Sequence, residues 1–235
     1  MSLYVGTSCY SHDPWKGKFY PPKFPNDQML GFYGVRFRAV EINNTFYHLP
    51  TLASVKSWTK NVSGDFRFAL KAPQEVTHRL RLQNADEVVA QFLEVAKVLG
   101  RRLGPLLFQL PPNFKKDLPR LSAFLKVLPR RRRIAFEFRH ASWFDDEVLA
   151  LLRARRVALC IADDDNDLSV PFAATTDWGY LRLRRVDYGD WELTQWVKRV
   201  RAQDWRTAFI FFKHDDQANG PRLAQRFLEL VGVNL

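Results

Sequence analysis

Short apolar runs recur about eight times along this chain, and several end on a charged or amide side chain. They are Tyr4–Ser8, Ala39–Asn43, Phe66–Lys71, Leu106–Gln109, Ile134–His140, Val157–Asp163, Tyr180–Arg184 and Ala208–His214. Most are followed by a loop and a stretch of helical periodicity. Asn84–Gly100 opens on a capping residue, closes on glycine and carries Val88, Phe92, Val95 and Leu99 on one stripe. Asp117–Leu128 repeats the design and stops at Pro129, and the stretch from Asp145 begins with acidic residues where a helix dipole favours them. Trp191–Ala202 and Gln217–Val231 complete the helices. Between Asp163 and Asp177 the helical pattern fails, so the crossover after strand six is expected to be reduced.

Alternating strands and helices demand parallel strands, because each crossover must return the chain to the same end of the sheet. About eight such units predict an α/β fold, a closed (β/α)₈ TIM barrel forming a single domain over residues 1–235. The polar strand ends would then converge on one mouth at the C-terminal face.

A hydrophobic fraction of 46% over 235 residues can fill one sizeable core and argues against disorder. No apolar run approaches the roughly 20 residues of a membrane span, and the opening Met-Ser-Leu-Tyr reads as strand rather than signal peptide. A cytoplasmic protein is expected, with no membrane association and no inferred protein partner. Cys9 and Cys160 both fall in predicted strands without metal-ligand spacing, which fits free thiols in a reducing compartment. The loop Cys9–Asn26 is long and aromatic. It could roof the mouth, or plug apolar strand ends through Trp15, Phe19 and Tyr20.

The net charge of +11 raises the question of nucleic acid as a partner. Position tempers it. Arg36, Arg38, Arg101, Arg102, the run Arg130–Arg133, and Arg153, Arg155 and Arg156 all precede a strand near a helix end. Those junctions lie on the face opposite the mouth, where helix C-termini favour cations. A solvated, dipole-complementing ring is therefore preferred over a polyanion-binding surface.

Residues two apart on a strand share a face. Glu41 pairs with Asn43 in this way, Glu137 with Arg139, and Arg182 with Arg184, while Lys71, Gln109 and Lys213 come from three further strands. Barrel interiors are otherwise apolar, so charges there need partners or a function. A self-satisfied lattice of Glu41, Lys71, Glu137 and Arg139 is the bland alternative. His48, His78, His140 and His214 each follow a strand end, but no short His spacing exists. No cofactor is predicted, and a divalent metal is the lesser alternative. His140 is better read as a general acid or base.

Several segments carry a resemblance: Trp15-Lys-Gly-Lys-Phe-Tyr-Pro, Val40-Glu-Ile-Asn-Asn-Thr-Phe-Tyr-His-Leu-Pro, Phe68-Ala-Leu-Lys, Thr77-His, Phe108-Gln-Leu-Pro-Pro and Ala135-Phe-Glu-Phe-Arg-His-Ala-Ser-Trp-Phe. Together they closely resemble the YecE-like proteins, a bacterial domain-of-unknown-function family. The resemblance implies a TIM barrel and places the family's motif positions on Trp15, Glu41, Asn43, Thr45, Phe46, Tyr47, Lys71, Thr77, His78, Gln109, Glu137, Arg139, His140 and Trp143. Cys9 stands where a glycine is usual. The resemblance brings no reaction with it.

From these residues an enzyme acting on a small phosphate-bearing anion is expected, most simply by acid–base hydrolysis. Lys71, Arg139, Arg182 and Lys213 would bind the anion while Glu41, Glu137 and His140 move protons. Asn43, Tyr47, His78, Gln109, Trp143, His214 and Trp15 complete the expected binding set. A glycosidase using Glu41 and Glu137 is the second reading, weakened because strands two and five are nearly opposite. A nucleic-acid-binding module without catalysis is the third.

Overall fold

The computed structural model describes residues 1–166, 168–213 and 215–232. Eight strands form a closed, all-parallel barrel in sequence order. They are β1 (Ser2–Thr7), β2 (Ala39–Ile42), β3 (Arg67–Lys71), β4 (Leu103–Gln109), β5 (Ile134–Glu137), β6 (Ala158–Asp163), β7 (Trp178–Leu183) and β8 (Thr207–Phe212). Their outward side chains, such as Val40, Phe68, Phe108, Phe136 and Leu181, pack under the helices. With both faces covered, the strands read as near-continuous apolar runs.

The interior is filled unevenly. Tyr4, Trp178, Tyr180, Phe209 and Phe211 come from β1, β7 and β8, whereas β2, β3, β5 and β6 contribute Ala39, Ala69, Ala135 and Ala158. Large side chains on one wall thus occupy the room left by alanines on the other. One inward step beyond these alanines stand Glu41, Lys71 and Glu137, so the apolar filling gives way to charge at the C-terminal ends.

The helices are α1 (Met29–Gly34), α2 (Leu52–Lys60), α3 (Asp86–Lys97), α4 (Leu118–Val127), α5 (Asp146–Arg155), α6 (Asp190–Arg201) and α7 (Asn219–Val231). Asp117 caps α4 and Asp145 caps α5 with side-chain hydrogen bonds, as expected. In α3 the buried stripe runs through Val89, Phe92, Val95 and Ala96, and Val88 is only half-buried. No helix joins β6 to β7 among the described residues, in line with the failed periodicity there. Thr175 ties this crossover down: its hydroxyl donates to Val157 O (2.7 Å) and accepts from Leu159 N (2.9 Å). Among the described residues no helix is long and apolar enough to cross a membrane.

Candidate functional site

The first loop is a plug. Trp15 is fully buried among Tyr20, Met29 and Ala218, and its indole N–H donates to Asp215 O at 2.6 Å. Cys9 lies in this loop beyond the end of β1, which corrects its expected place in a strand. Tyr33 of α1 anchors the neighbouring strands. Its hydroxyl accepts from Thr7 N (2.8 Å) and donates to Ala39 O (3.0 Å), bridging β1 and β2. Asn43 adds a second tie above it, donating from Nδ2 to Ser8 O (2.7 Å).

Arg182 of β7 is the centre of the polar layer. It is fully buried, and it crosses to the alanine side of the barrel, where Nη2 donates to Glu41 Oε1 (2.8 Å) and Nη1 to Glu137 Oε2 (2.6 Å). Tyr180 donates its hydroxyl to the other Glu41 oxygen at 2.7 Å. The second Glu137 oxygen is ion-paired with Arg139, which also pairs with Asp164 at the start of the β6–β7 crossover. Gln109 and Asn43 stand at the margin, with side-chain oxygens 3.5 Å from the Arg182 guanidinium.

These contacts set the charges. Burial opposes ionisation of Glu137, but Arg182, Arg139 and Arg184 override it and hold the carboxyl down at about 2. Burial likewise opposes the Arg182 charge, and Glu137 and Glu41 overcome it, raising the guanidinium well above its ordinary value. Cys160 is pushed well up by burial and by Glu137, so its thiol stays protonated. The layer contains a lattice of the kind the sequence allowed, with Arg182 rather than Lys71 as its hub.

Lys71 and Arg184 stand apart from that lattice. Neither forms an ion pair with any carboxylate among the described residues. Lys71 Nζ lies 4.1 Å from the centre of the Phe46 ring, and its pKa is lowered to about 8 by burial and then by Arg182. Burial, followed by Arg182, also lowers Arg184. Thr45 fixes this corner by donating to Lys71 O (2.6 Å). His78 sits in a π-helical turn, Glu75–Arg79, after β3. Its Nδ1 is 2.9 Å from the Thr77 hydroxyl, its ring meets Phe46 edge-on, and burial and Lys71 lower its pKa.

The expected residues therefore separate into groups. Glu41, Asn43, Lys71, Gln109, Glu137, Arg139 and Arg182 share the mouth. His140 is turned to a structural task, its Nδ1 accepting from Ser142 N (3.2 Å) to cap a 3₁₀ turn. Trp143 is fully buried, stacked on Phe138, with its N–H donating to Phe114 O (2.6 Å). Neither Trp143 nor Trp15 offers a ring face to a ligand, because each face is covered by the core. Tyr47 is exposed at the rim, lining a cavity of about 580 Å³ with Trp58. Lys213 follows β8 and is half-buried, and His214 lies outside the described residues. The expected separation of Glu41 and Glu137 is corrected too: a single guanidinium bridges them. Tyr180, Asp164 and Arg184 were not assigned from sequence. The two-residue spacing of Tyr180, Arg182 and Arg184 was the available signal for two of them. Among the described residues no group of three or more His, Cys, Asp or Glu is arranged to hold a metal ion.

Comparison with known proteins agrees with this architecture. The sequence profile described as "Protein of unknown function DUF72" matches residues 4–235. The UPF0759 protein YecE of Escherichia coli K12 is 33% identical over 143 residues, 60% of this chain and 50% of that protein. The chain thus spans about half the length of that relative. The UPF0759 protein YunF of Bacillus subtilis is 24% identical over 98% of this chain and 95% of its own. The crystal structure of a DUF72 family protein from Thermotoga maritima superposes with a TM-score of 0.88 at 27% identity, covering 99% of this chain and all of that one. A DUF72 family protein from Enterococcus faecalis, at 19% identity and a TM-score of 0.81, shares the fold over 99% of this chain and 96% of its own. With its barrel, its strand-end motifs and a profile match along nearly its whole length, the chain belongs to the YecE-like DUF72 family.

Proposed function

We propose that the barrel mouth binds a small phosphate-bearing anion and acts on it by proton transfer. The observation that carries this reading is the division among the inward cations. Arg182 and Arg139 are spent on Glu41, Glu137 and Asp164, whereas Lys71 and Arg184 have no carboxylate partner among the described residues. Two half-buried cations left unpaired are costly, and an anion between them relieves the cost. A planar guanidinium also gives phosphate a two-point grip.

The proton-transfer role passes from the carboxylates to Lys71 and His78. Glu137, ionised down to about pH 2 and shared by two guanidiniums, has no proton to give near neutrality. Lys71, at about 8, is poised close to it. The same locking of Glu41 and Glu137 leaves a glycosidase without a free acid–base pair.

Calorimetric titration with inorganic phosphate and simple phosphoesters tests the reading. Binding to the wild type should weaken roughly tenfold or more in Arg184→Gln, which removes the charge-assisted hydrogen bonds of that grip. If neutral oligosaccharides bind and phosphate compounds do not, the reading is wrong.

A further inference from the structure

We propose that Lys71 is an amine nucleophile, forming an imine with a small phosphate-bearing aldehyde or ketone at the barrel mouth. This rests on the anion-binding reading above and adds a covalent step to it.

Four features of the position converge. Lys71 is the last residue of β3 and keeps part of its surface exposed, so a small reagent can reach it. Its amine rests against the Phe46 ring and has no acid partner among the described residues. Just past the paired Ile42↔Leu70 position, Asn43 leaves the end of β2. Asn43 and Glu41 line a neighbouring cavity of about 280 Å³, whose walls come mainly from the first loop and the end of β2 and not from Lys71 or Arg184. Arg184 supplies the unpaired guanidinium for the phosphate. An amine held among guanidiniums and an aromatic face is shifted toward its neutral, nucleophilic form, in keeping with the lowered pKa of Lys71.

In the step itself the neutral Nζ adds to the carbonyl carbon, and the proton that the nitrogen sheds on addition passes to the carbonyl oxygen, which gives a neutral carbinolamine. A second proton lets that oxygen leave as water, and the nitrogen lone pair closes the C=N bond. No electrons are lost or gained. The protonated imine then withdraws electron density from the neighbouring carbon.

Borohydride trapping reads this directly, because hydride adds to the imine carbon and fixes a secondary amine. The intact protein is treated with dihydroxyacetone phosphate, or with the smaller uncharged ketone hydroxyacetone, and labelled peptides are located by mass. Labelling should favour Lys71 over surface lysines by roughly a hundredfold at neutral pH, given the larger neutral fraction of an amine lowered from 10.5 to about 8. Arg184→Gln should lose roughly tenfold or more of the labelling by the phosphate ketone and a smaller share of that by hydroxyacetone, because Arg184 also helps to keep the Lys71 amine neutral. Labelling spread evenly over lysines, or absent from Lys71, overturns the proposal, even where phosphate binds by calorimetry. Labelling of Lys71 by both ketones with no dependence on Arg184 and no competition by phosphate keeps the imine and removes the anion reading. Because the mapping uses the wild type, it does not depend on a variant folding.

Discussion

Arg182 is a full charge buried away from the surface, and it survives there because two carboxylates, from β2 and β5, and a tyrosine hydroxyl neutralise and orient the cluster. Breaking such a network on one side leaves an uncompensated buried charge. Glu137→Gln, which strips a shared counterion from Arg182 and Arg139, should therefore cost about 3–5 kcal/mol in urea unfolding, far more than a surface ion pair. Two pH effects have opposite positions on the scale. Glu137 is depressed from 4.5 to about 2, so its contribution is complete above pH 4.5 and is lost as pH falls toward 2. Lys71 is depressed from 10.5 to about 8, so between those values the unfolded chain binds more protons and stability gains with rising pH. That gain should be present in the wild type and missing in Lys71→Met, when unfolding is followed at pH 8 and pH 10. The inward direction of Glu41, Glu137, Arg139 and Arg182 could be read from strand parity alone. Their pairing could not, because it depends on which side chain spans the gap over Ala39 and Ala135, and on Asp164, which lies beyond its strand.

Between elements, one thinly paired junction is the most instructive. β1 and β2 pair through only Gly6↔Ala39 and Thr7↔Val40, and Gly6 is required there because a Cβ would fall 1.9 Å from Ala39 O. The hydroxyl of Tyr33 completes the junction by bonding to both strands. Tyr33→Phe keeps the ring packing yet leaves a buried N–H and C=O short of a partner, and should cost about 1–3 kcal/mol by thermal or chemical unfolding. A result near zero would mean that the strands close on each other without the hydroxyl. The sequence pattern announced α3 to α7 through their periodicity and, for α4 and α5, through their caps, whereas the N-cap position of α3 falls on Ala85 and not on the expected Asn84. It was silent on α1, which is six residues long, begins without a side-chain cap and is defined by what it packs against. Short helices draw their stability from tertiary contact, so periodicity carries little trace of them.

Across the whole molecule, charge is segregated. Arg38, Arg102, Arg133, Arg156 and Arg206 each stand just before a strand, on the face away from the mouth. The run at 130–133 is not uniform, however. Arg133 lies over the Phe209 ring, 5.4 Å from its centre, at the floor of the barrel, whereas Arg130–Arg132 make no ring contact among the described residues. Replacing Arg130, Arg131 and Arg132 with serine should flatten the salt dependence of nonspecific polyanion binding and leave phosphate titration unchanged. A change in the phosphate titration would show that the two faces are coupled. The eightfold plan was legible at this scale because each strand–helix unit repeats the same pattern, and the one irregular unit, after β6, was legible as the place where that pattern fails.

That missing helix has a topological consequence. A broad-specificity protease should make its first cut within Leu168–Pro171, where no helix guards the chain and Thr175 has not yet tied it down. The nick would separate six strands from two, yet β6 still pairs with β7 at four positions and β8 with β1 at six. The cleaved protein should elute with the intact one in size-exclusion chromatography and run as two bands once denatured. A seam of this kind makes the molecule a latent heterodimer, two fragments able to assemble into one barrel without a covalent join.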